Sequence, residues 1–300
     1  MVPSPICLAS ESKVTNHRVD DYDRWFRMTG KKISATRPTT EDREQYHLEV
    51  KVGDVAKSVL IPGDPQRVER ISALWDDTRE VAKHRQFVTH TGKYKGVDIS
   101  ACSTGIGGPG TAIVIEELAN VGADTFLRVG SCATLKEEIE LGDIIISTAA
   151  VRLEGTSKQY VRPEYPASAS YEVVLAFIEA AETLGVTYHL GISASTDSFY
   201  LGQSRPGFGG YTQSMSETLI QDLTKANVAN FEMEAATLFT LGNIYGFRTG
   251  AACAVYANRV RDEFAVKGEK DVIRCGNEAV KILAEMDEEK AGKKYWSRQN

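Results

Sequence analysis

Short apolar segments alternate along the chain with segments whose apolar residues recur at helical spacing. Strands are predicted at residues 58–61, 97–102, 125–129 and 143–146. Helices are predicted over about residues 66–74, after the glycine-rich turn at 105–110, and around the periodic sets Val174, Phe177, Ile178, Ala181 and Gly276, Val280, Leu283. This alternation is typical of an α/β sheet with parallel strands and helices on both faces.

The boundaries of the periodic pattern predict one domain, because no repeat or low-complexity linker divides it. The domain is predicted from about residue 47 to residue 287, with an N-terminal extension over 1–46 and a polar C-terminal tail over 288–300. No apolar run reaches the roughly 18 residues that a membrane span requires. The first residues lack the charged-then-apolar order of a secretory signal.

Composition and charge narrow the class of protein. Of the 300 residues, 42% are hydrophobic and 25% are charged, a balance typical of a soluble globular protein. The net charge of −6 argues against a nucleic-acid partner, although a few arginines could still bind an anionic small molecule. The 5 cysteines are widely spaced without a C-x-x-C pair, and the histidines are isolated. We therefore expect a reduced, cytoplasmic protein without a metal site or a membrane partner.

The turn Gly105-Ile-Gly-Gly-Pro-Gly110 matches G-x-G-x-x-G between a strand and a helix, the context of a dinucleotide site. Such a site also needs an acidic residue about 20 positions later, at the end of the next strand. That strand ends in Arg128-Val-Gly-Ser-Cys, which contains no acid. We favour glycines that permit a tight turn and close packing, with nicotinamide binding as the weaker alternative.

Four segments, taken together, carry a more specific signal: residues 61–68 (IPGDPQRV), 102–109 (CSTGIGGP), 126–131 (FLRVGS) and 231–237 (FEMEAAT). In order and approximate spacing they resemble the nucleoside phosphorylase family, and the resemblance covers about residues 47–287. It implies a single-domain, three-layer α/β/α fold with a mixed central sheet and helices on both faces. It also implies inorganic phosphate as co-substrate, no other cofactor, and a homo-oligomer whose sites are shared between subunits.

The resemblance assigns a phosphate site to five residues. These are Gly63, Arg67, Arg85, Arg128 and Ser131, of which Arg85 would come from a neighbouring subunit. Arginine suits phosphate because it stays charged and presents forked donors. A helix beginning after Gly63 would add backbone N–H groups and a favourable dipole. Arg128 also requires a partner or a ligand on physical grounds, since it is a charge within an apolar strand.

The resemblance assigns ribose contacts to His47, Ser131, Glu232, Met233 and Glu234, with His47 reaching a neighbour's ribose 5′-hydroxyl. Carboxylates match hydroxyl donors because they only accept hydrogen bonds. A glycosidase acid pair is the alternative for the two glutamates. The spacing of Glu232 and Glu234 on a helix predicts that they point in different directions, which argues against that pair.

The base contacts implied by the resemblance are Phe199, Gln203, Arg205, Cys132, Ala133 and Arg259. Gln203 offers the donor and acceptor that a uracil edge needs, and Arg205 would stabilise charge that grows on the departing base. Purine enzymes of the family carry an aspartate where Asn258 stands here, which favours a pyrimidine. Cys132 and Ala133 depart from the family's usual hydroxyl and glycine, and Tyr256 and Ala257 from aliphatic residues.

The resemblance implies phosphorolysis as the activity, in which uridine and phosphate give uracil and ribose 1-phosphate. Arg128, Gln203, Arg205 and Glu234 are the residues expected to carry the catalysis. A non-catalytic or altered-specificity nucleoside-binding member of the same fold is the alternative.

Overall fold

Eleven strands form one mixed sheet in the computed structural model, which describes residues 33–297. Their bounds are β1 Ser58–Leu60, β2 Asp77–His84, β3 Phe87–Tyr94, β4 Val97–Cys102, β5 Thr125–Thr134, β6 Ile144–Arg152, β7 Ala167–Ser168, β8 Tyr188–Ser195, β9 Val228–Glu232, β10 Arg248–Asn258 and β11 Glu263–Phe264. The α-helices are α1 Pro65–Ser72, α2 Gly108–Asn120, α3 Thr156–Tyr160, α4 Tyr171–Leu184, α5 Ser214–Lys225, α6 Ala235–Tyr245 and α7 Glu269–Glu289. The predicted strands and helices all occur; the strand at 97–102 has its predicted ends, and the other strands and the helix predicted at 66–74 have shifted ends.

The sheet closes partly on itself. Its strand order is β11-β10-β6-β8-β9-β5-β1-β4-β3-β2, and β10 additionally pairs in parallel with β5 along ten residue pairs from Arg248–Thr125 to Asn258–Thr134. Strands β5, β10, β6, β8 and β9 therefore form a ring, from which β1, β4, β3 and β2 extend as an open sheet. The mixed sheet is as predicted, and the ring is a feature that the sequence pattern did not indicate.

Helices cover both faces of the sheet, which gives the three predicted layers. Neighbouring residues of β5 face opposite cores: Leu127 packs with α4 and α7, whereas Phe126 packs with α2 and α6. This follows from the alternation of side chains along a strand. Because both faces are covered, the first six residues of β5 are all buried.

The folded part reaches beyond the predicted domain on both sides. Thr39 pairs with Gln45 in a short bridge, before the predicted start at residue 47. At the other end, the backbone N–H of Trp296 donates to the carboxylate of Glu172 at 3.0 Å, within the predicted tail. Residues 1–32 of the predicted extension lie outside the described residues. Within residues 33–297, no helix is both long and apolar enough to cross a membrane.

Candidate active site

A cavity of about 520 Å³ lies where β1, β4, β5, β8, β9 and β10 end. Carboxyl ends of strands are the usual ligand sites of α/β sheets. Twelve of the predicted site residues line this cavity: Gly63, Arg67, Arg128, Ser131, Cys132, Ala133, Phe199, Gln203, Arg205, Glu232, Met233 and Glu234. Three others, His47, Arg85 and Arg259, do not line it.

The turn between β1 and α1 begins the predicted phosphate side. Asp64 caps α1 by accepting a hydrogen bond from the backbone N–H of Gln66 at 2.9 Å, and Pro65 occupies the first helical turn. A Cβ on Gly63 would lie 3.2 Å from the carbonyl oxygen of Gly105. A glycine at position 63 therefore lets this turn and the glycine-rich turn approach closely at the cavity wall.

Arg67 follows one turn into α1, and its side chain is only 6% exposed. Its Nη2 lies 3.0 Å from Oε2 of Glu269, and its Nη1 donates to the Val129 carbonyl at 3.1 Å. Burial raises the pKa of Glu269, but the charge of Arg67, its hydrogen bond and that of Tyr256, and the charge of Arg70 together bring the pKa below its ordinary value. One predicted phosphate cation is thus paired with a carboxylate across the cavity wall.

Arg128 is paired as well, as its position in an apolar strand requires. Its Nε donates to Oε2 of Glu232 at 3.1 Å, and its Nη2 lies 2.5 Å from Oε2 of Glu234. Burial alone would lower the pKa of Arg128, but Glu234, with smaller contributions from Cys253 and Glu232, raises it above its ordinary value. A Cβ on Gly130 would lie 2.8 Å from Cζ of Arg128 and 3.0 Å from Sγ of Cys253. The guanidinium therefore occupies the space that a side chain at position 130 would need.

The expected divergence of Glu232 and Glu234 is wrong, because the two residues do not share a helix. Glu232 ends β9, whereas Glu234 is the residue before α6, so both carboxylates converge on Arg128. Glu232 also accepts from the backbone N–H groups of Glu234 and Ala235, both at 2.8 Å, and from the Ser195 hydroxyl. Its oxygens are fully engaged within the protein.

Glu234 retains more acceptor capacity than Glu232. Its Oε1 accepts from the backbone N–H of Gly107 at 2.6 Å, and its Oε2 contacts Arg128. Burial raises the pKa of Glu234 above its ordinary value, although Arg128 lowers it. The glycine-rich turn therefore presents an N–H group to a buried carboxylate, and Glu234 is the glutamate better placed to accept from hydroxyl groups in the cavity.

The predicted base residues form a second network in the wall of the cavity. Nη1 of Arg205 donates to Oε1 of Gln203 at 2.6 Å, and its guanidinium carbon lies 3.9 Å from the ring centre of Phe199. Arg259 lies behind them and donates to the backbone carbonyl of Gln203 at 2.6 Å. Burial, with a smaller contribution from the like charge of Arg259, lowers the pKa of Arg205 to about 10. Arg259 therefore supports this wall from outside the cavity.

Comparison with known proteins matches the phosphorylase superfamily over residues 57–288. The chain belongs to the phosphorylase superfamily. A uridine phosphorylase from Thermococcus kodakarensis is 65% identical over 271 residues, covering 90% of this chain and 98% of that protein. One from Klebsiella aerogenes is 39% identical over 243 residues, covering 80% and 95%. A guanosine phosphorylase from Halorubrum lacusprofundi is 42% identical over 217 residues, covering 72% and 85%.

Asn258 has a structural role in this phosphorylase and does not line the cavity. Its Nδ2 donates to the carbonyls of Lys136 and Ile139 at 3.0 and 3.1 Å, and its Oδ1 accepts from the backbone N–H groups of Val260 and Arg261 at 3.0 Å each. The side chain thus fastens the loop after β10 to the loop after β5. The pyrimidine preference inferred from Asn258 gains no support from its surroundings.

His47 and Arg85 of this phosphorylase lie together on the surface. Arg85 is exposed in the turn between β2 and β3, and among residues 33–297 it makes no hydrogen bond or ion pair. Nδ1 of the adjacent His84 lies 3.0 Å from the His47 carbonyl oxygen. The His47 ring itself contacts Oε1 of Glu117 at 2.6 Å. The two residues predicted to serve a neighbouring subunit therefore share one face of this chain.

Several contributors to the site were not predicted. Ile106 and Phe264 line the cavity, Thr196 accepts from Nε2 of Gln203 at 3.2 Å, and Glu269 holds Arg67. Ile106 lies inside the glycine-rich turn, so its neighbours gave a usable signal. Phe264 and Glu269 lie in a part of the sequence without a recognisable motif, and only folding brings them to the site.

Proposed function

We propose that this chain is a uridine phosphorylase that catalyses the reversible phosphorolysis of uridine to uracil and ribose 1-phosphate. The observation that carries the proposal is that one cavity collects three complementary sets of side chains. Arg67, Arg128 and Ser131 offer donors for phosphate, Met233 and Glu234 suit a ribose, and Gln203 and Arg205 suit a uracil edge, and all of them line the same cavity. Similarity to uridine phosphorylases over nearly the whole chain supports the same activity.

The proposed reaction uses positioning and charge rather than a protein nucleophile. A phosphate oxygen forms a bond to the anomeric carbon of ribose as the bond from that carbon to the base nitrogen breaks. The bonding electron pair leaves with the base. Arg67 and Arg128 would orient the phosphate, while Glu234 would accept from ribose hydroxyls and stay close to the sugar as it gains positive charge.

Departure of the base is the step that Arg205 would assist. The base leaves as an anion, and the Arg205 guanidinium stays charged at neutral pH because its pKa, although lowered, is about 10. Gln203 is 3% exposed and holds both a donor and an acceptor at the cavity wall. A uracil edge offers a matching N–H and carbonyl pair. The base anion then takes a proton from water, and the hydroxide left behind accepts the proton that the attacking phosphate carried.

The proposed enzyme is a homo-oligomer in which Arg85 and His47 complete the site of a neighbouring subunit. Arg85 is an exposed cation on the same face as His47, and neither residue lines the cavity of its own chain. The ring of His84, the residue before Arg85, contacts the His47 carbonyl oxygen, which supports a shared surface for Arg85 and His47. A dimer is then the smallest unit with complete sites.

The test is an absorbance assay of purified protein against uridine, deoxyuridine, thymidine, inosine and guanosine, with and without phosphate. Uracil release that depends on phosphate and yields ribose 1-phosphate supports the proposal. Equal release without phosphate indicates hydrolysis and contradicts it. Binding without any release indicates the nucleoside-binding alternative.

Guanosine is included because of the guanosine phosphorylase among the relatives. If guanosine or inosine is the better substrate, the pyrimidine assignment is wrong although phosphorolysis stands. The Glu234→Ala variant is the control for contaminating activity, since it should lose turnover while it passes through the same purification.

A further inference from the structure

Tyr256 closes a ring of polar contacts around the predicted phosphate arginine. Nη2 of Arg67 donates to the Tyr256 hydroxyl at 3.4 Å, and this hydroxyl donates to Oε2 of Glu269 at 3.1 Å. The same Oε2 accepts from Nε and Nη2 of Arg67 at 3.3 and 3.0 Å. Tyr256 lines the cavity, so the ring forms part of its wall.

The donors of Arg67 are nearly all used by these contacts. Its guanidinium has five N–H groups, of which two point to Glu269, one to Tyr256 and one, on Nη1, to the Val129 carbonyl. One N–H on Nη1 remains for a ligand in the cavity. A guanidinium held by hydrogen bonds from four of its N–H groups loses little conformational freedom when it binds a ligand, which favours tight binding.

Glu269 is placed for this role by the start of α7. It is the first residue of the helix and follows Gly268, which has a left-handed backbone with φ of 74°. Its second oxygen, Oε1, accepts from Arg70 at 2.7 Å on the outer side of α1. The carboxylate therefore ties α1 to α7 and faces Arg67 from outside the cavity.

We propose that Tyr256 and Glu269 are positioning residues for phosphate, which act by holding Arg67 with one N–H group free. This inference rests on the proposed phosphorolysis and adds to it the residues that set phosphate affinity. Neither residue is proposed to touch the nucleoside or the reacting atoms. Their loss should therefore affect the KM for phosphate more than the KM for uridine.

The decisive variant is Tyr256→Phe, which removes one hydroxyl and no charge. Loss of a hydrogen bond to a buried charged group should raise the KM for phosphate about threefold to tenfold. The KM for uridine should stay within about twofold, because the ring that lines the cavity is retained. Tyr94→Phe is the matched control: the Tyr94 hydroxyl also donates to a carboxylate of α7, Glu278, at 2.9 Å, but it lies outside the cavity.

A second pair of variants tests the carboxylate. Glu269→Ala should raise the KM for phosphate at least as much as Tyr256→Phe, because it leaves a buried guanidinium without its acceptor. Glu269→Gln keeps an acceptor oxygen and should restore part of the loss. If both variants lower the KM for phosphate, Glu269 competes with phosphate for Arg67 and the inference is wrong.

Calorimetric titration of each variant with inorganic phosphate separates this inference from the proposed function. A parent protein that neither turns over uridine nor binds phosphate would contradict the proposed function. A parent that binds phosphate with the same affinity as Tyr256→Phe would contradict only the positioning role. A rise in the KM for uridine alone would show that Tyr256 contributes to nucleoside binding and not to phosphate binding, which also overturns the inference.

Discussion

Nη2 of Arg128 lies 2.5 Å from Oε2 of Glu234, deep in the cavity where both side chains are 5% exposed. One is the cation that the sequence assigns to phosphate, and the other is the carboxylate assigned to ribose. The two predicted subsites therefore meet in a single buried ion pair. Substitution of either residue changes the surroundings of both substrates.

Arg128→Ala is expected to lose stability as well as activity. Removing one partner of a buried ion pair costs about 3–5 kcal/mol, and here the substitution leaves Glu232 and Glu234 without their shared cation. Thermal denaturation of the parent and the variant at neutral pH measures this loss. Arg70→Ala is the control, since Arg70 is 45% exposed and its ion pairs contribute little.

The stability loss of Arg128→Ala should depend on pH. The pKa of Glu234 is already raised by burial, and removing Arg128 raises it further. A carboxyl group with a raised pKa in the folded state stabilises the fold when protonated, and this contribution is lost as pH rises through that pKa. The difference in midpoint between parent and variant should grow from pH 5 to pH 8. A constant difference would mean that Glu234 is not the group left unpaired.

Gln203→Leu is expected to reduce kcat/KM for uridine by about tenfold or more, because buried polar groups lose their partner at roughly 1–3 kcal/mol each. The KM for phosphate should not change, since the Gln203 side chain contacts Thr196 and Arg205 and not the phosphate arginines. Steady-state kinetics with each substrate varied in turn separates the two effects. Gln213→Leu, at an exposed glutamine before α5, provides the control.

Asn258→Asp is expected to destabilise the protein without adding purine activity. The new carboxylate oxygen would face the Lys136 and Ile139 carbonyls, to which the amide now donates. Unsatisfied buried polar groups cost about 1–3 kcal/mol each. Denaturation curves and an inosine assay check both parts. Asn243→Asp is the control because the Asn243 amide bonds a carbonyl, that of Ser168, in an exposed position. New inosine turnover would restore the role first inferred for Asn258.

Arg85→Ala and Glu234→Ala should rescue each other when co-expressed. Arg85→Ala inactivates the site of the neighbouring subunit, to which Arg85 contributes. Glu234→Ala inactivates the site of the subunit that carries it. For random pairing with independent sites, about a quarter of the parental activity should return, since half of the dimers are mixed and each has one intact site. Size-exclusion chromatography with two different tags confirms mixing. Mixed oligomers without activity would show that Arg85 acts within its own chain or not at all.

The sequence identified functional residues where a charged side chain stands among apolar neighbours, such as Arg128 within an apolar strand. It also identified motifs that stay together after folding, such as Gln203 and Arg205. It misjudged the glutamates because their directions depend on where β9 ends and α6 begins, a boundary that periodicity locates only within a few residues. The role of Glu269 could not be predicted because Glu269 and Arg67 are 202 residues apart in the sequence and meet only in the folded chain. The ring of strands depends on similar long-range pairing between β5 and β10.

Gly130 and Ala133, three residues apart in β5, place different limits on substitution. A side chain at position 130 would displace the Arg128 guanidinium from its ion pairs with Glu232 and Glu234, so substitution at this position should cost activity. Three positions further, Ala133 stands opposite Ala257 on β10, and both line the cavity with small side chains. Laboratory evolution of base preference should therefore succeed by changing the volumes at 133 and 257 together, while libraries that include position 130 would yield mostly inactive clones.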